Sequence, residues 1–111
     1  MRPVLKILWC GALLLAGCPN PTCDESVLTY ENFGEGHLLN YCTSCHSSEL
    51  VGEEARSKAP PQFNFDTLTD TRLHTDAILG SSVYGDRMPP RNEPDLEETD
   101  RLGEWLECGA R

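Results

Sequence analysis

Five consecutive residues, Cys42-Thr43-Ser44-Cys45-His46, place two thiols and an imidazole at a spacing that supports covalent cofactor chemistry. In a C-x-x-C-H sequence each thiol adds across one vinyl group of a haem, and two intervening residues let both sulfurs reach the same ring. The histidine that follows directly is then placed to bind the iron as an axial ligand. The motif therefore predicts one covalent haem c, attached at Cys42 and Cys45, with His46 as the first iron ligand.

Two other kinds of site also use a C-x-x-C pair. A thiol–disulfide enzyme places the pair near a βαβ unit, and no strand pattern is visible in this sequence. A structural zinc site needs four ligands, usually in two close pairs. The remaining candidate ligands stand singly in the chain: Cys23, His37, His74 and Cys108. Haem attachment is the main interpretation, and a non-haem metal-binding protein is an alternative.

Met88 is the candidate for the second iron ligand. It is the only methionine besides Met1, so a thioether ligand has to come from this position. The two prolines that follow it restrict the backbone of the loop that carries it. His74 is a competing candidate for the second ligand, and His37 is a less favoured one. If Met88 does not bind iron, the alternative is a methionine that only fills a gap in the core.

The N-terminus has the pattern of an export signal. Two basic residues precede a short apolar run, 7–16, which is too short to cross a bilayer as a stable helix. The run ends in Leu15-Ala16-Gly17-Cys18, which resembles the lipobox of bacterial lipoproteins. That resemblance implies removal of residues 1–17 and a lipid on Cys18, although an ordinary signal peptide with an incidental cysteine is the alternative. We therefore expect an exported protein on the periplasmic or cell-surface side, lipid-anchored to a bacterial membrane.

The six cysteines can each be given a role. Cys10 leaves with the signal peptide, Cys18 carries lipid, and the C-x-x-C pair takes the haem. Cys23 and Cys108 remain, and an exported compartment permits disulfides, so we predict that they pair. In the chain-entropy model such a long closed loop contributes about 4–5 kcal/mol of stability. Two free thiols are the alternative.

The chain is strongly acidic, with a formal net charge of −9. Loss of the signal peptide removes two of the basic residues and makes the remaining chain more negative still. Such a charge argues against nucleic-acid partners and against electrostatic adhesion to anionic lipid. Most of the carboxylates are expected to form a solvated surface, and a protein partner is expected to present a basic docking surface.

The hydrophobic pattern predicts helices and no strands. Thr29 is the expected N-cap of a first helix that runs to about Cys42, with Glu31 in its first turn. Glycines cost stability inside a helix. Gly34 and Gly36 therefore predict that another part of the backbone approaches this helix closely.

Two further helices are expected in the second half of the chain. One runs from about Arg72 to Leu79, is capped by Asp70 or Thr71 and is ended by Gly80. Its apolar positions are Leu73, Ala77 and Ile78. A loop over residues 81–90 should follow it and carry Met88.

The last helix is expected to begin after Asp95 and to run to Cys108. Asp95 and Glu98 fit an acidic variant of the capping box, and Gly109 is well placed to stop the helix in a left-handed conformation. The helix should bury one apolar stripe, formed by Leu102, Trp105 and Leu106.

Over about residues 29–108 the chain resembles the class I c-type cytochromes, a family of small all-helical electron carriers. In that family the helix before the haem motif carries a glycine and a large apolar residue. Gly34 and Leu38 match these positions, eight and four residues before Cys42. The resemblance implies an all-α, small cytochrome c fold over residues 29–111, in which the N- and C-terminal helices cross around a haem-centred core.

The second half of the chain carries the same resemblance. The family's second iron ligand is a methionine in a loop before the last helix, which Met88-Pro89-Pro90 matches. The family's last helix presents an apolar residue and an aromatic residue, matched by Leu102 and Trp105 at fourteen and seventeen positions after the methionine. The resemblance therefore implies iron ligation by His46 and Met88.

The family also orients its proximal histidine through a backbone carbonyl in a proline-containing loop, and Pro60 and Pro61 both match that region. The prolines exclude a helix, so residues 59–66 are expected to form an extended loop with Phe63 and Phe65 turned inward. Candidate partners for the haem propionates are Arg56, Arg87 and Arg91, with mobile surface arginines as the alternative.

Together these features predict a monomeric, monohaem electron carrier between membrane-associated redox partners, and not an enzyme. An iron with two protein ligands has no open position for a substrate. The expected organisation is a signal peptide over 1–17, a lipidated N-terminus and tether over 18–28, and the haem domain over 29–111. The alternatives are a peroxidase-like haem enzyme with a labile distal ligand and a non-haem metal-binding lipoprotein.

Overall fold

A computed structural model of the chain describes residues 23–111. The predicted signal peptide, the predicted lipidation site Cys18 and residues 19–22 of the predicted tether lie outside the described residues. The described part is all-helical and contains no β-strand, as predicted. None of its helices combines the length and the apolar character needed to cross a membrane.

Helix α1 consists of a π-helical first part, Tyr30–Gly34, and an α-helical second part, Glu35–Tyr41. Thr29 caps it, as predicted: its hydroxyl accepts the Asn32 N–H at 3.1 Å, and the Asn32 side chain accepts the Thr29 N–H at 2.7 Å. This reciprocal arrangement is a capping box that uses an amide side chain. Cys42 is the C-cap, so the C-x-x-C-H segment begins where the helix ends.

The middle of the chain differs from the prediction at its start. Helix α2 spans Leu68–Leu73, and its N-cap is Thr67, whose hydroxyl accepts the Asp70 N–H at 3.0 Å. The prediction of a cap at Asp70 or Thr71 is wrong, because several cap-competent residues follow one another here. Leu73, expected in the core, is 74% exposed.

The end of this region also differs. His74 breaks the helix, and helix α3 then runs over Thr75–Ile78 and continues as a π-helical segment, Leu79–Val83. The prediction that Gly80 ends the helix is wrong. The Tyr84 N–H donates to the Leu79 carbonyl at 2.8 Å, which carries the helical turn past the glycine.

Helix α4 spans Leu96–Glu107. Asp95 caps it by accepting the Glu98 N–H at 2.8 Å, and Gly109 adopts a left-handed φ of +92° after its end. Both predictions are confirmed, although the Glu98 side chain does not complete a capping box. The predicted stripe is buried, since Leu102, Trp105 and Leu106 all belong to the core.

Helices α1 and α4 meet where Gly34 faces Trp105. A Cβ atom on Gly34 would lie 2.2 Å from Cζ2 of the buried indole, so only glycine fits here. The close neighbour is therefore a side chain and not the backbone that the sequence suggested. Gly36 has no such neighbour within 4 Å, so the same expectation is wrong at that position.

The two ends of the described chain are tied together beside this contact. The predicted disulfide between Cys23 and Cys108 is present. The Arg111 carbonyl accepts hydrogen bonds from the Trp105 indole at 3.0 Å and from the Tyr30 N–H at 2.5 Å. The start of α1 is thus held against the end of α4, and the core lies between these helices and α3.

Candidate haem-binding site

A cavity of about 570 Å³ lies beside the C-x-x-C-H segment. Its volume falls in the range of about 300–1,000 Å³ that is typical of small-molecule and cofactor sites. All four residues predicted to attach the haem or bind its iron line this cavity: Cys42, Cys45, His46 and Met88. The fold thus brings together a motif and a methionine that are more than forty positions apart in the sequence.

The inner wall of the cavity is apolar. It is formed by core or core-contacting side chains: Phe63, Phe65, Ile78 and Leu102. Phe63 and Phe65 point inward from the 59–66 loop, as predicted, and Leu102 comes from the buried stripe of α4. The cavity is therefore an extension of the core, and an apolar ring bound there would complete it.

The orientation of His46 is set by its backbone and aromatic neighbours. Its Nδ1–H donates to the Phe63 carbonyl at 2.9 Å, and its ring packs against Phe65 with the ring centroids 4.8 Å apart. A hydrogen bond at Nδ1 leaves Nε2 as the nitrogen with a free lone pair, which is the arrangement of a metal-binding histidine. Burial is the main cause that lowers the pKa of His46, and the nearby Arg56 charge lowers it further.

The carbonyl that holds His46 belongs to neither of the predicted prolines. The Pro60 carbonyl accepts from the Phe63 N–H at 3.1 Å, and the Pro61 carbonyl accepts from the Asn64 side chain at 3.0 Å. The chain therefore turns between Pro60 and Phe63, and the Phe63 carbonyl faces the His46 imidazole. The prediction located the correct loop but the wrong residue.

Arg56 is not a mobile surface side chain. It is only 4% exposed, and its five guanidinium N–H groups donate to five backbone carbonyls. These acceptors are Ser47, Leu50, Ala59, Pro60 and Phe63, at 2.6–3.4 Å. The sequence carries no signal for this burial, because an arginine in a polar stretch ordinarily stays in solvent.

The segment around Met88 is bound more loosely. Met88 is 39% exposed, and its N–H donates to the Ser81 carbonyl at 3.1 Å. Within the described chain, this is the one hydrogen bond made by residues 85–94. His74, the competing ligand, does not line the cavity and instead packs edge-on against Phe63, with centroids 4.9 Å apart.

A His–Glu pair that the sequence did not reveal lies beside the cavity, with His37 lining it. His37 is 3% exposed, and its Nδ1 lies 2.8 Å from Oε2 of Glu98, which joins α1 to α4. Burial lowers the pKa of His37, and the Glu98 carboxylate partly offsets this. The alternation of polar and apolar positions does not mark His37 as buried, and the sequence predicts Glu98 only as part of the helix cap.

Charge is distributed unevenly around the cavity. Four basic residues line it, and no Asp or Glu of residues 23–111 does so. The basic residues are Arg56, Lys58, Arg87 and Arg91. A basic cavity in an acidic chain favours an occupant that carries negative charge, and haem has two propionates.

The first cysteine of the motif, Cys42, is poorly suited to thiolate chemistry. Burial raises the pKa of the Cys42 thiol to about 12, and the structure does not join Cys42 to Cys45 in a disulfide. Catalysis and metal binding by cysteine both need the thiolate. Cys23 and Cys108 are committed to their disulfide, and no group of three or more metal-binding side chains occurs among residues 23–111.

The residues that line the cavity fit a covalently bound haem. They supply two thiols at the required spacing, an imidazole with Nε2 available, a thioether, apolar walls and cationic groups for the propionates. Comparison of the chain with protein-family models, curated proteins and solved structures finds no match. Functional inference therefore depends on the residues and geometry of this chain alone.

Proposed function

We propose that this chain is a monohaem c-type cytochrome that carries single electrons between redox partners. Haem c would be attached at Cys42 and Cys45, with His46 and Met88 as iron ligands. The observation that carries the proposal is a single cavity lined by the whole motif and by Met88, in which His46 is already oriented by the Phe63 carbonyl. When bound, the haem supplies a one-electron ferrous–ferric couple whose potential the protein tunes.

The roles of the residues follow from this arrangement. The Phe63 carbonyl accepts a hydrogen bond from Nδ1–H of His46, which leaves Nε2 free to bind the iron. The apolar wall keeps water from the centre, and burial together with thioether ligation raises the reduction potential. If His46 and Met88 both bound the iron, it would have no open position for a substrate, which favours electron transfer over catalysis.

The fold proposal is the small cytochrome c fold. Its support is the contact of α1 and α4 at Gly34 and Trp105, together with a core that opens directly onto the cavity. In this proposal the haem forms the centre of the core. Lys58, Arg87 and Arg91 would pair with the propionates, whereas the Arg56 donors already bind backbone carbonyls. The acidic exterior would then face a partner with a basic docking surface.

For the cellular setting we propose export and lipid anchoring at Cys18, on the periplasmic or cell-surface side of a bacterial membrane. The Cys23–Cys108 disulfide supports an oxidising compartment, because structural disulfides are rare in reducing ones. The proposal includes a monomer, protein redox partners and no role in nucleic-acid binding.

A second candidate function is a peroxidase-like haem enzyme in which the distal ligand leaves the iron. The observation in its favour is that Met88 is 39% exposed and lies in residues 85–94, which make one hydrogen bond within the described chain. An absorption spectrum separates the two functions. A six-coordinate low-spin form with a weak sulfur-to-iron band in the red supports the carrier, and a high-spin form supports the enzyme.

The decisive test is haem attachment in a bacterium that has the cytochrome maturation machinery. The full-length protein should retain a haem stain after denaturing electrophoresis, whereas a Cys42→Ala, Cys45→Ala double variant should lose it. A Cys23→Ala, Cys108→Ala double variant is the matched control, since it removes two cysteines outside the motif and should leave the stain in place. A colourless protein with both motif thiols open to alkylation would refute the proposal and favour a non-haem metal-binding lipoprotein.

A further inference from the structure

The buried guanidinium of Arg56 has no counter-ion. The ion pairs of residues 23–111 do not include it, and its five donors all end on neutral backbone carbonyls. A buried charge without a partner charge costs free energy, although a complete set of hydrogen bonds lowers that cost. An arginine in such a position therefore calls for a role beyond packing.

One of the five acceptors connects Arg56 to the candidate iron ligand. The Phe63 carbonyl accepts from Nη2 of Arg56 at 3.1 Å and from Nδ1 of His46 at 2.9 Å. The cation and the imidazole thus share a single acceptor atom. Arg56 also lines the cavity itself.

The other acceptors place the same side chain at the centre of the loop. Ser47 immediately follows the motif, and Ala59 and Pro60 lie just before Phe63. The planar guanidinium therefore binds both ends of the segment 47–63, which begins directly after His46 and ends at the carbonyl that accepts from His46. A lysine has three donors and no fixed fork, so it cannot make all five bonds.

We infer that Arg56 is the positioning residue of the His46 ligand and that its charge favours the reduced state of the centre. It fixes the Phe63 carbonyl in place. Arg56 also donates to the same carbonyl that accepts from His46, which weakens the His46 hydrogen bond. The imidazole then donates less electron density to the iron. Both this effect and direct electrostatic attraction for the added electron raise the reduction potential. The inference rests on the proposed function.

The test compares reduction potentials of three variants that retain covalent haem. Arg56→Gln removes the charge, Arg56→Lys keeps it without the five bonds, and Arg101→Gln removes an equal charge from an exposed side chain paired with Glu97. Arg56→Gln should shift the reduced-to-oxidised equilibrium about tenfold toward the oxidised state, which is about 59 mV for a one-electron couple. Arg101→Gln should leave the potential near the wild-type value.

The lysine variant separates charge from position. It should keep most of the wild-type potential, but added imidazole or cyanide should displace the protein ligands from its iron more readily than in wild type. If both Arg56 variants lose stability while their potentials and ligand exchange match wild type, Arg56 is only structural and the inference is wrong.

A measurement on the wild type covers the case in which the variants do not fold. Nitrogen-15 NMR of the haem-loaded protein should show Arg56 guanidinium protons that exchange slowly with water and whose shifts change with the oxidation state. Fast exchange like that of exposed arginines would overturn the inference. A wild type without covalent haem would instead refute the proposed function, so the two failures are distinguishable.

Discussion

The two sides of the cavity are built differently. On the His46 side, the imidazole is bonded to Phe63, packed on Phe65 and backed by the five hydrogen bonds of Arg56. On the Met88 side, residues 85–94 make a single hydrogen bond in the described chain, and Met88 is partly exposed. Low exposure and dense hydrogen bonding resist local opening, whereas the opposite features favour it. The chain therefore preorganises the first proposed iron ligand, His46, and holds the second proposed ligand, Met88, only loosely.

The largest expected effect comes from truncating the preorganised side. His46→Ala should lower the free energy of unfolding of the haem-loaded protein by about 2–3 kcal/mol, the upper part of the usual range for point substitutions, because it removes a half-buried ring and its hydrogen bond to Phe63. It should also abolish the low-spin spectrum. His74→Ala is the matched control, because that ring packs on Phe63 and Phe65 but lies outside the cavity. Equal losses from both variants in denaturant titrations would contradict the special role of His46.

A somewhat smaller effect is expected where the helix that carries the motif meets α4. Gly34→Ala would force a methyl group into the Trp105 ring and should cost about 1–3 kcal/mol of stability. Gly36→Ala has open space around it and should instead be neutral or stabilising by up to about 1 kcal/mol. Thermal unfolding of the two variants measures the difference, and a neutral Gly34→Ala would show that this contact does not support the His46 side.

On the other side of the cavity, Met88→Ala should change the spectrum much more than the stability. A partly exposed side chain contributes little packing, so we expect a loss below about 1 kcal/mol. The iron should become high-spin or open to added imidazole, and the potential should fall. Met88→Leu, which keeps the bulk without the sulfur, should give the same spectrum. An unchanged low-spin spectrum in both would move the assignment of the second ligand to His74.

The smallest effect concerns the His37–Glu98 pair, which joins α1 to α4. Because burial lowers the pKa of His37 in the folded state, the unfolded chain binds a proton more readily at mildly acid pH. Stability from this group is complete above the unfolded pKa of about 6.5 and is lost as the pH falls toward the lower folded value. His37→Gln should flatten the stability profile at mildly acid pH, below about 6.5. An identical slope in the variant and the wild type would contradict this assignment.

Local signals account for the parts of the fold that the sequence predicted correctly. Thr29 and Asp95 are caps because their hydroxyl and carboxylate oxygens meet the first free N–H groups of a helix. Gly109 accepts a positive φ that other residues resist. The disulfide followed from elimination, since each other cysteine already had a role. These inferences need only neighbouring residues or a count.

The missed features depend on where distant backbone and side-chain atoms come to lie. Phe63 was overlooked as a partner of His46 because every residue has a carbonyl, so no residue type marks the one that will be used. The sequence predicts Arg56 as a propionate partner or a mobile surface side chain, because nothing in it indicates that five carbonyls would surround the guanidinium. The cap at Thr67 was missed because four neighbouring positions, 67 and 69–71, are all cap-competent.

By itself, the sequence supplied the basis of the proposed chemistry: a C-x-x-C-H motif, a single candidate thioether and a set of helix caps are properties of residue type and spacing. Only the tertiary structure decided how that chemistry is held. In the folded chain the Phe63 carbonyl, and not a proline carbonyl, accepts from His46. Arg56 is buried, and His37 is paired with Glu98. The physical reason is that hydrogen bonds and burial act between atoms brought together by folding, and their energies depend on distances that a sequence does not state.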